Sequence, residues 1–170
     1  MKRITSVILI TLMILSTLLA TSCSSANTTT AKQTETEYFI SSGKIVVGNA
    51  SGGEESFDVE LLKKAVAAFA SGEKATIAVE VKTVGKEEAL SLLTSKSIDV
   101  IVGLELAEEA PEGAKYSVRY LESSAFVLRE DSDFTEKINT AIKDLYKAGD
   151  LDGIAEHYGV GDSLKSALGE

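Results

Sequence analysis

The order of its apolar segments is the feature that most constrains how this 170-residue chain can fold. Two short apolar runs, 44–49 and 98–103, predict buried strands, and residues 77–81 alternate as a strand does. Apolar residues at helical spacing predict one helix between the first two strands and another over 86–95. The order strand–helix–strand–helix–strand predicts an α/β fold with a mostly parallel sheet flanked by helices.

Capping residues predict where several of these helices begin and end. Asp58 is the expected N-cap of the first helix, and Gly72 is its expected end. Asp133 and Glu136 have the spacing of a capping box, which predicts a helix that Gly149 ends. A shorter helix around Ile154 follows. Between the two halves of the chain, residues 118–121 and 124–128 are predicted to be extended.

The first 23 residues have the pattern of an export signal. A cationic start at Lys2 and Arg3 precedes an apolar run, and small residues lead up to Cys23. The run is short for a bilayer span, which needs about 20 apolar residues. The small residues before Cys23 resemble the lipobox of bacterial lipoproteins, which implies cleavage after Ser22 and lipid on the Cys23 thiol.

Cys23 is the only cysteine, so it has no partner for a disulfide within the chain. Its alternative role is a buried core thiol, which its hydroxyl-rich neighbours do not favour. Stable anchoring takes more than one acyl chain, as lipoprotein-type lipidation supplies. We therefore expect an exported protein that is lipid-anchored to the cell membrane, on its outer face or its periplasmic side.

Four regions follow from these patterns. Residues 1–22 are the predicted lipoprotein signal peptide, and 23–42 are a predicted flexible tether, since 24–37 are almost free of large apolar side chains. Residues 43–162 are the predicted folded lobe, and 163–170 are a tail.

Composition narrows the class of function. The formal net charge is −9, and it becomes −11 once Lys2 and Arg3 leave with the signal peptide. Such acidity argues against nucleic-acid partners, although solubility also explains it. Removal of 22 residues leaves 148, enough for one domain with a core. With one histidine and one cysteine, the chain is expected to hold no metal or other cofactor.

Four stretches in order resemble the extracellular solute-binding proteins of amino-acid ABC importers (family 3), which have the type II periplasmic-binding-protein fold. They are Ser56–Leu61, Ser97–Ile101, Tyr116–Leu121 and Phe126–Asp133, the last continuing to Gly159. The resemblance extends over about residues 44–161.

The resemblance implies two lobes, the second inserted within the first. Here the outgoing motif ends near Leu121 and the returning motif starts near Ser124, where a domain on the order of 100 residues would be expected. The sequence therefore predicts the first lobe alone. An open lobe cannot bury most of a ligand's surface, so we expect weak or incomplete solute binding.

Several of the residues that contact the ligand in this family are replaced in this sequence. The loop 50–56 lacks the aromatic residue that stacks on the ligand, and Ala110 and Gly113 stand where the resemblance implies a threonine and a carboxylate-binding arginine. Nearby glutamates would also repel a ligand carboxylate. The candidate ligand-binding residues that remain are Asn49, Ser51, Gly103, Glu105, Lys115 and Arg119.

Enzymatic patterns are weak. His157 and Glu156 are adjacent on a predicted helix and do not face each other. The glycines of 48–53 match no phosphate-binding motif, and no serine lies in a nucleophile elbow.

We predict a non-enzymatic lipoprotein associated with an ABC importer for amino acids or similar small polar solutes. The alternative is a degenerate lobe that acts as a protein-interaction module. Expected partners are the lipid bilayer, an ABC permease, and either a second copy or a protein that supplies the second lobe.

Overall fold

The computed structural model describes residues 33–53 and 55–169. Cys23, the signal peptide 1–22 and the tether up to residue 32 lie outside the described residues. The helices are α1 (Glu35–Ser42), α2 (Phe57–Gly72), α3 (Lys86–Thr94), α4 (Phe134–Ala148), α5 (Asp152–His157) and α6 (Gly161–Leu168). The strands are β1 (Lys44–Asn49), β2 (Ala78–Thr83), β3 (Val100–Val102), β4 (Ala114–Tyr116) and β5 (Val127–Arg129).

The five strands form one sheet in the order β2-β1-β3-β5-β4. β1 pairs in parallel with β2 and with β3, as the order of apolar segments predicted. β5 then pairs antiparallel with β3 and with β4. The described residues therefore form a single α/β lobe with a mixed sheet.

Helices cover both faces of this sheet because successive strand side chains alternate between the faces. On one face, Ile45 and Val47 of β1 pack in a large apolar cluster that includes residues of α1, α2, α4, α5 and α6. On the other face, Ala89 and Leu93 of α3 form a smaller cluster. Gly48 makes that second layer possible, because a Cβ there would lie 2.5 Å from the Ile98 side chain.

Two predicted caps form differently in the structure. Ser56, not Asp58, caps α2, and its hydroxyl accepts a hydrogen bond from the Val59 N–H at 3.3 Å. Asp58 lies in the first turn instead. Asp133 makes no side-chain capping bond to α4, so the predicted capping box is wrong. The Asp133 carboxylate accepts from the Thr36 N–H at 3.2 Å and so caps the start of α1.

The pKa of Asp133 reflects this contact. Burial alone would raise the pKa, but hydrogen bonds from Thr36, followed by one from Thr34, lower it below its usual value. The carboxylate therefore stabilises the docking of α1 in its ionised form.

The region before β5 is extended over a different range from the predicted one. Strand pairing occurs at Ala114–Tyr116, before the segments predicted to be extended, and at Val127–Arg129. Residues 118–121 and 124–128 contribute one isolated bridge, between Leu121 and Ser124, and the start of β5. Period-two apolar patterns mark burial, but only tertiary pairing decides which extended residues join a sheet.

The predicted tether ends earlier than expected, because residues 35–42 form α1. Thr34 and Glu37 make a capping box at its start. Phe39 is 1% exposed, and its ring packs edge-on against Phe134 at 5.1 Å between centroids. A polar composition did not reveal that Phe39, with the partly buried Ile40 beside it, docks this helix into the core.

The predicted tail is also wrong, since residues 161–168 form α6. Leu164 of this helix is 2% exposed and belongs to the larger core cluster. Leu164, with the partly buried Val160 and Leu168 beside it, attaches α6 to the lobe, and this apolar signal is too short for periodicity to identify.

We predict that Phe39→Ala lowers the free energy of unfolding by about 3–5 kcal/mol, because it leaves a cavity beside Phe134. The neighbouring Tyr38→Ala is the matched control, since Tyr38 is 52% exposed; its effect should stay within about 1 kcal/mol. Urea unfolding followed by circular dichroism measures both. A loss of less than about 1 kcal/mol for Phe39→Ala would contradict the docking of α1 in the core.

Candidate functional site

The carboxyl ends of β1 and β3 form the candidate site. From β1 the chain leads to β2 on one side, whereas β3 lies on the other side, so the loops that follow β1 and β3 diverge here. Open α/β sheets bind ligands at such topological switch points. Three of the predicted residues, Asn49, Ser51 and Gly103, lie at this point.

The two loops approach each other closely. The Ala50 N–H donates to the Val102 carbonyl at 2.9 Å. Gly103 has a φ of +71°, and a Cβ there would lie 2.7 Å from the Ser51 Cβ. A glycine at this position lets the turn adopt left-handed geometry and lets the backbone of Ser51 approach.

Asn49 shapes the first loop. Its side chain is fully buried, and its Nδ2 donates to the carbonyl of Gly53 at 3.0 Å. Its Oδ1 accepts from the Ser51 N–H at 3.1 Å and from the Ser51 hydroxyl at 2.8 Å. The amide is thus committed within the loop, and its role is to position Ser51, which is exposed.

The other three predicted residues do not join this cluster. Glu105 is exposed in the segment after β3. Lys115 lies in the edge strand β4, where it pairs with Leu128 of β5. Arg119 lines a separate, shallow cleft of about 500 Å³ beside α6. The six candidates therefore divide into one cluster of three and three dispersed charges.

The position where a second lobe would be inserted is closed by a tight turn. Leu121 and Ser124 form an antiparallel bridge with two residues between them. The Tyr120 N–H donates to the Ser124 carbonyl at 3.1 Å. The Val118 N–H donates to the Asn139 side chain at 2.7 Å, which fixes the approach to the turn on α4.

A buried pair that the sequence did not reveal supports this turn. The Tyr120 hydroxyl donates to the Asp58 carboxylate at 2.9 Å. Burial raises the pKa of Asp58, an effect that the hydrogen bond partly offsets. Burial and the Asp58 charge raise the pKa of Tyr120 well above its ordinary value. Because Tyr120 is fully buried, the pair ties the turn to the start of α2 and is not open to a ligand.

The opposite, amino edge of the sheet contains a buried cation. Arg129 is 5% exposed, and its Nη1 donates to the carbonyls of Leu93 at 3.0 Å and Ile98 at 2.9 Å. Its Nη2 donates to Asp99 at 3.2 Å, and its Nε donates to Glu35. A cavity of about 360 Å³ lies beside this cluster. Arg129 belongs to a stretch used for the resemblance, but nothing in its spacing indicated burial.

The described residues contain neither a cluster of metal ligands nor a membrane-spanning helix. Within 33–53 and 55–169, no three His, Cys, Asp or Glu side chains lie together as metal ligands would. In that part of the chain no helix has the length and apolar character to cross a membrane.

Solved structures share this fold. Domain 1 of TmArgBP in its arginine-bound form matches with a TM-score of 0.51 and 21% identity, over 62% of this chain and 95% of that one. A substrate-binding protein of an ABC uptake transporter from Streptococcus pneumoniae, with bound histidine, matches with a TM-score of 0.64 and 15% identity, over 75% and 96%. The ancestral amino-acid-binding protein AncCDT-1, a precursor of cyclohexadienyl dehydratase, matches with a TM-score of 0.60 and 12% identity, over 72% and 97%.

Family models and curated protein sequences give no match to the chain. At these identities the structural similarity shows the fold, which is a single lobe of the periplasmic-binding-protein type.

We predict that Arg129→Met destabilises the lobe by about 3–5 kcal/mol, because Glu35 and Asp99 would lose their buried counter-charge. Arg119→Met removes an exposed arginine and should change stability by less than about 1 kcal/mol. Thermal and urea unfolding of both variants compare the two sites. A small loss for Arg129→Met would contradict the structural role of the cluster.

Proposed function

We propose that the mature protein is an exported, lipid-anchored solute-binding protein of a single lobe, associated with an ABC importer for amino acids or similar small polar solutes. The observation that carries the proposal is the complete lobe with a two-residue turn, Glu122 and Ser123, at the insertion point. The TmArgBP structure supports it, since that protein's domain 1 alone has an arginine-bound form. A lone lobe of this fold is therefore compatible with amino-acid binding.

The proposed solute site is the switch point around Ser51 and Gly103. One side of a solute would contact the loops there, while its other side stays in water, so the affinity is weak. Four exposed glutamates lie on the segment after β3, namely Glu105, Glu108, Glu109 and Glu112. These charges favour a solute with a cationic group over one with a second carboxylate.

We expect L-arginine at millimolar concentration to shift the backbone amide resonances of Ser51, Gly53 and Gly103, whereas L-glutamate should shift them less. Titration followed by ¹⁵N–¹H correlation spectra measures this. Ser51→Tyr should reduce the shifts by filling the site. Ser163→Tyr, an equally large change in the α6 cleft, is the matched control. Absence of shifts at 10 mM arginine in the folded protein, or equal loss in both variants, would contradict the proposed site.

The proposed anchor is lipid on Cys23, which follows from the leader pattern alone. We expect the purified protein to begin at residue 23 and to carry the additional mass of acyl chains. On detergent phase separation, the unmodified protein should partition into the detergent phase, whereas Cys23→Ser should partition into the aqueous phase. Ser24→Ala, next to the cleavage site, should keep its lipid. Intact mass spectrometry decides the point: an unmodified Cys23, or a chain that still begins with Met1, would contradict the anchor.

The alternative, a lobe that serves as a protein-interaction module, needs an uncovered apolar surface at the turn. Among the described residues, Tyr38 is the exposed large hydrophobic side chain, and it lines the cavity at the amino edge. Glu122 and Ser123 at the turn are exposed and polar. No observation at the turn favours the alternative.

A further inference from the structure

The outer edge of β2 has hydrogen-bonding groups directed away from the sheet. β2 is the terminal strand, and it pairs with β1 over all six of its residues. The Ala78 N–H donates to Gly43 at 2.8 Å and the Val84 N–H donates to Asn49 at 3.1 Å, so even-numbered residues point toward β1. Val79, Val81 and Thr83 therefore direct their N–H and C=O groups outward.

This edge is longer than the one on the other side of the sheet. β4, the opposite terminal strand, has three residues, whereas β2 has six. Short edge strands resist pairing with other chains, and long ones invite it. The edge of β2 is thus the better template for a further strand.

The charges of β2 are self-complementary. Glu80 and Lys82 lie on the exposed face of the strand, two residues apart. Within the chain, the Glu80 carboxylate is 3.1 Å from the Lys44 ammonium group and 3.7 Å from that of Lys82. A second strand placed antiparallel beside β2 would meet both signs of charge.

We propose that two copies of this chain pair antiparallel through β2, with Val81 opposite Val81 of the second copy. In this register Val79 lies opposite Thr83, so all the outward N–H and C=O groups of the three residues find partners, giving six hydrogen bonds. Glu80 of each copy then lies opposite Lys82 of the other.

The charges select this register. The two neighbouring registers that keep the same hydrogen-bonding residues paired are centred on residue 80 or on residue 82. The first places Glu80 opposite Glu80, and the second places Lys82 opposite Lys82. Like charges directly opposite each other are unfavourable, and opposite charges are favourable.

The proposed dimer is weak. Pairing of five residues per copy buries less surface than the roughly 1,600 Å² of a standard interface. We expect a dissociation constant on the order of 0.1 mM.

Charge reversal tests the register. The protein is the chain from residue 23 onward with Cys23→Ser, which retains all the described residues. Glu80→Lys and Lys82→Glu should each weaken dimerisation at least about tenfold, because each creates two like-charge pairs. The double variant Glu80→Lys/Lys82→Glu restores opposite pairs and should dimerise within about threefold of the unmodified strand. Glu156→Lys, at an exposed position of α5, is the control for net charge.

Sedimentation equilibrium from 10 μM to 1 mM measures these constants, with circular dichroism to confirm folding. A monomer at 1 mM would overturn the proposal. A dimer that survives both single reversals would also overturn it, because the contact would then lie on another surface.

Crosslinking gives an independent readout in the same background. Opposed residues of a non-hydrogen-bonded pair have Cα atoms about 4.5 Å apart, within the disulfide range. A mixture of Glu80→Cys and Lys82→Cys chains should therefore form a disulfide-linked dimer on mild oxidation. Each variant alone should not, because residue 80 lies roughly 8 Å from residue 80 of the second copy. Equal crosslinking of the single variants would exclude the proposed register.

Discussion

The arrangement of the segments at the amino edge of this lobe depends on the hydrogen bonds and ion pairs of the buried Arg129 guanidinium. The guanidinium joins α1 through Glu35, the end of α3 through the Leu93 carbonyl, and the approach to β3 through Ile98 and Asp99. Asp99 extends the network, because its second oxygen accepts from the Val46 N–H of β1 at 2.9 Å. A charge removed from water must be paired and hydrogen-bonded, so the five segments that meet here are held to one arrangement. The proposed solute site lies at the opposite, carboxyl edge of the sheet.

A tight turn closes the lobe at the point where the family resemblance predicts that a second domain would be inserted. The turn at Leu121 and Ser124 has its own backbone bonds, and its surroundings are fixed by Tyr120 on Asp58 and by Val118 on Asn139. These contacts make the turn an integral part of the core. The proposed site is therefore open. The loops around Ser51 are attached to the core, but the described residues do not enclose a ligand on its other side. A small solute bound there would remain partly in water.

The candidate site was predictable only in part. The sequence placed Asn49 and Gly103 at the ends of buried strands, and because parallel strands end at one edge, their proximity followed. It did not reveal that the Asn49 amide is used within its own loop, nor that Lys115 and Arg119 lie elsewhere. The Asp58–Tyr120 and Arg129 contacts were hidden for the same reason: they join residues 62 and 94 positions apart, and such pairing has no periodic signature in the chain.

Local patterns alone determined the strand–helix order and the parallel core of β1, β2 and β3, because alternation and helical spacing act over a few positions. The closing of the lobe between Leu121 and Ser124 was predicted from the family resemblance and not from these patterns. Only the tertiary structure decided whether the segments 33–42 and 161–168 form helices. α1 and α6 form because Phe39 and Leu164 find apolar partners that are distant in sequence. Asp133 caps α1 and not its own helix because folding brings the Thr36 N–H within reach. A single buried side chain or a cap from another segment is stabilising only once the core exists, so composition at residues 33–42 and 161–168 could not show it.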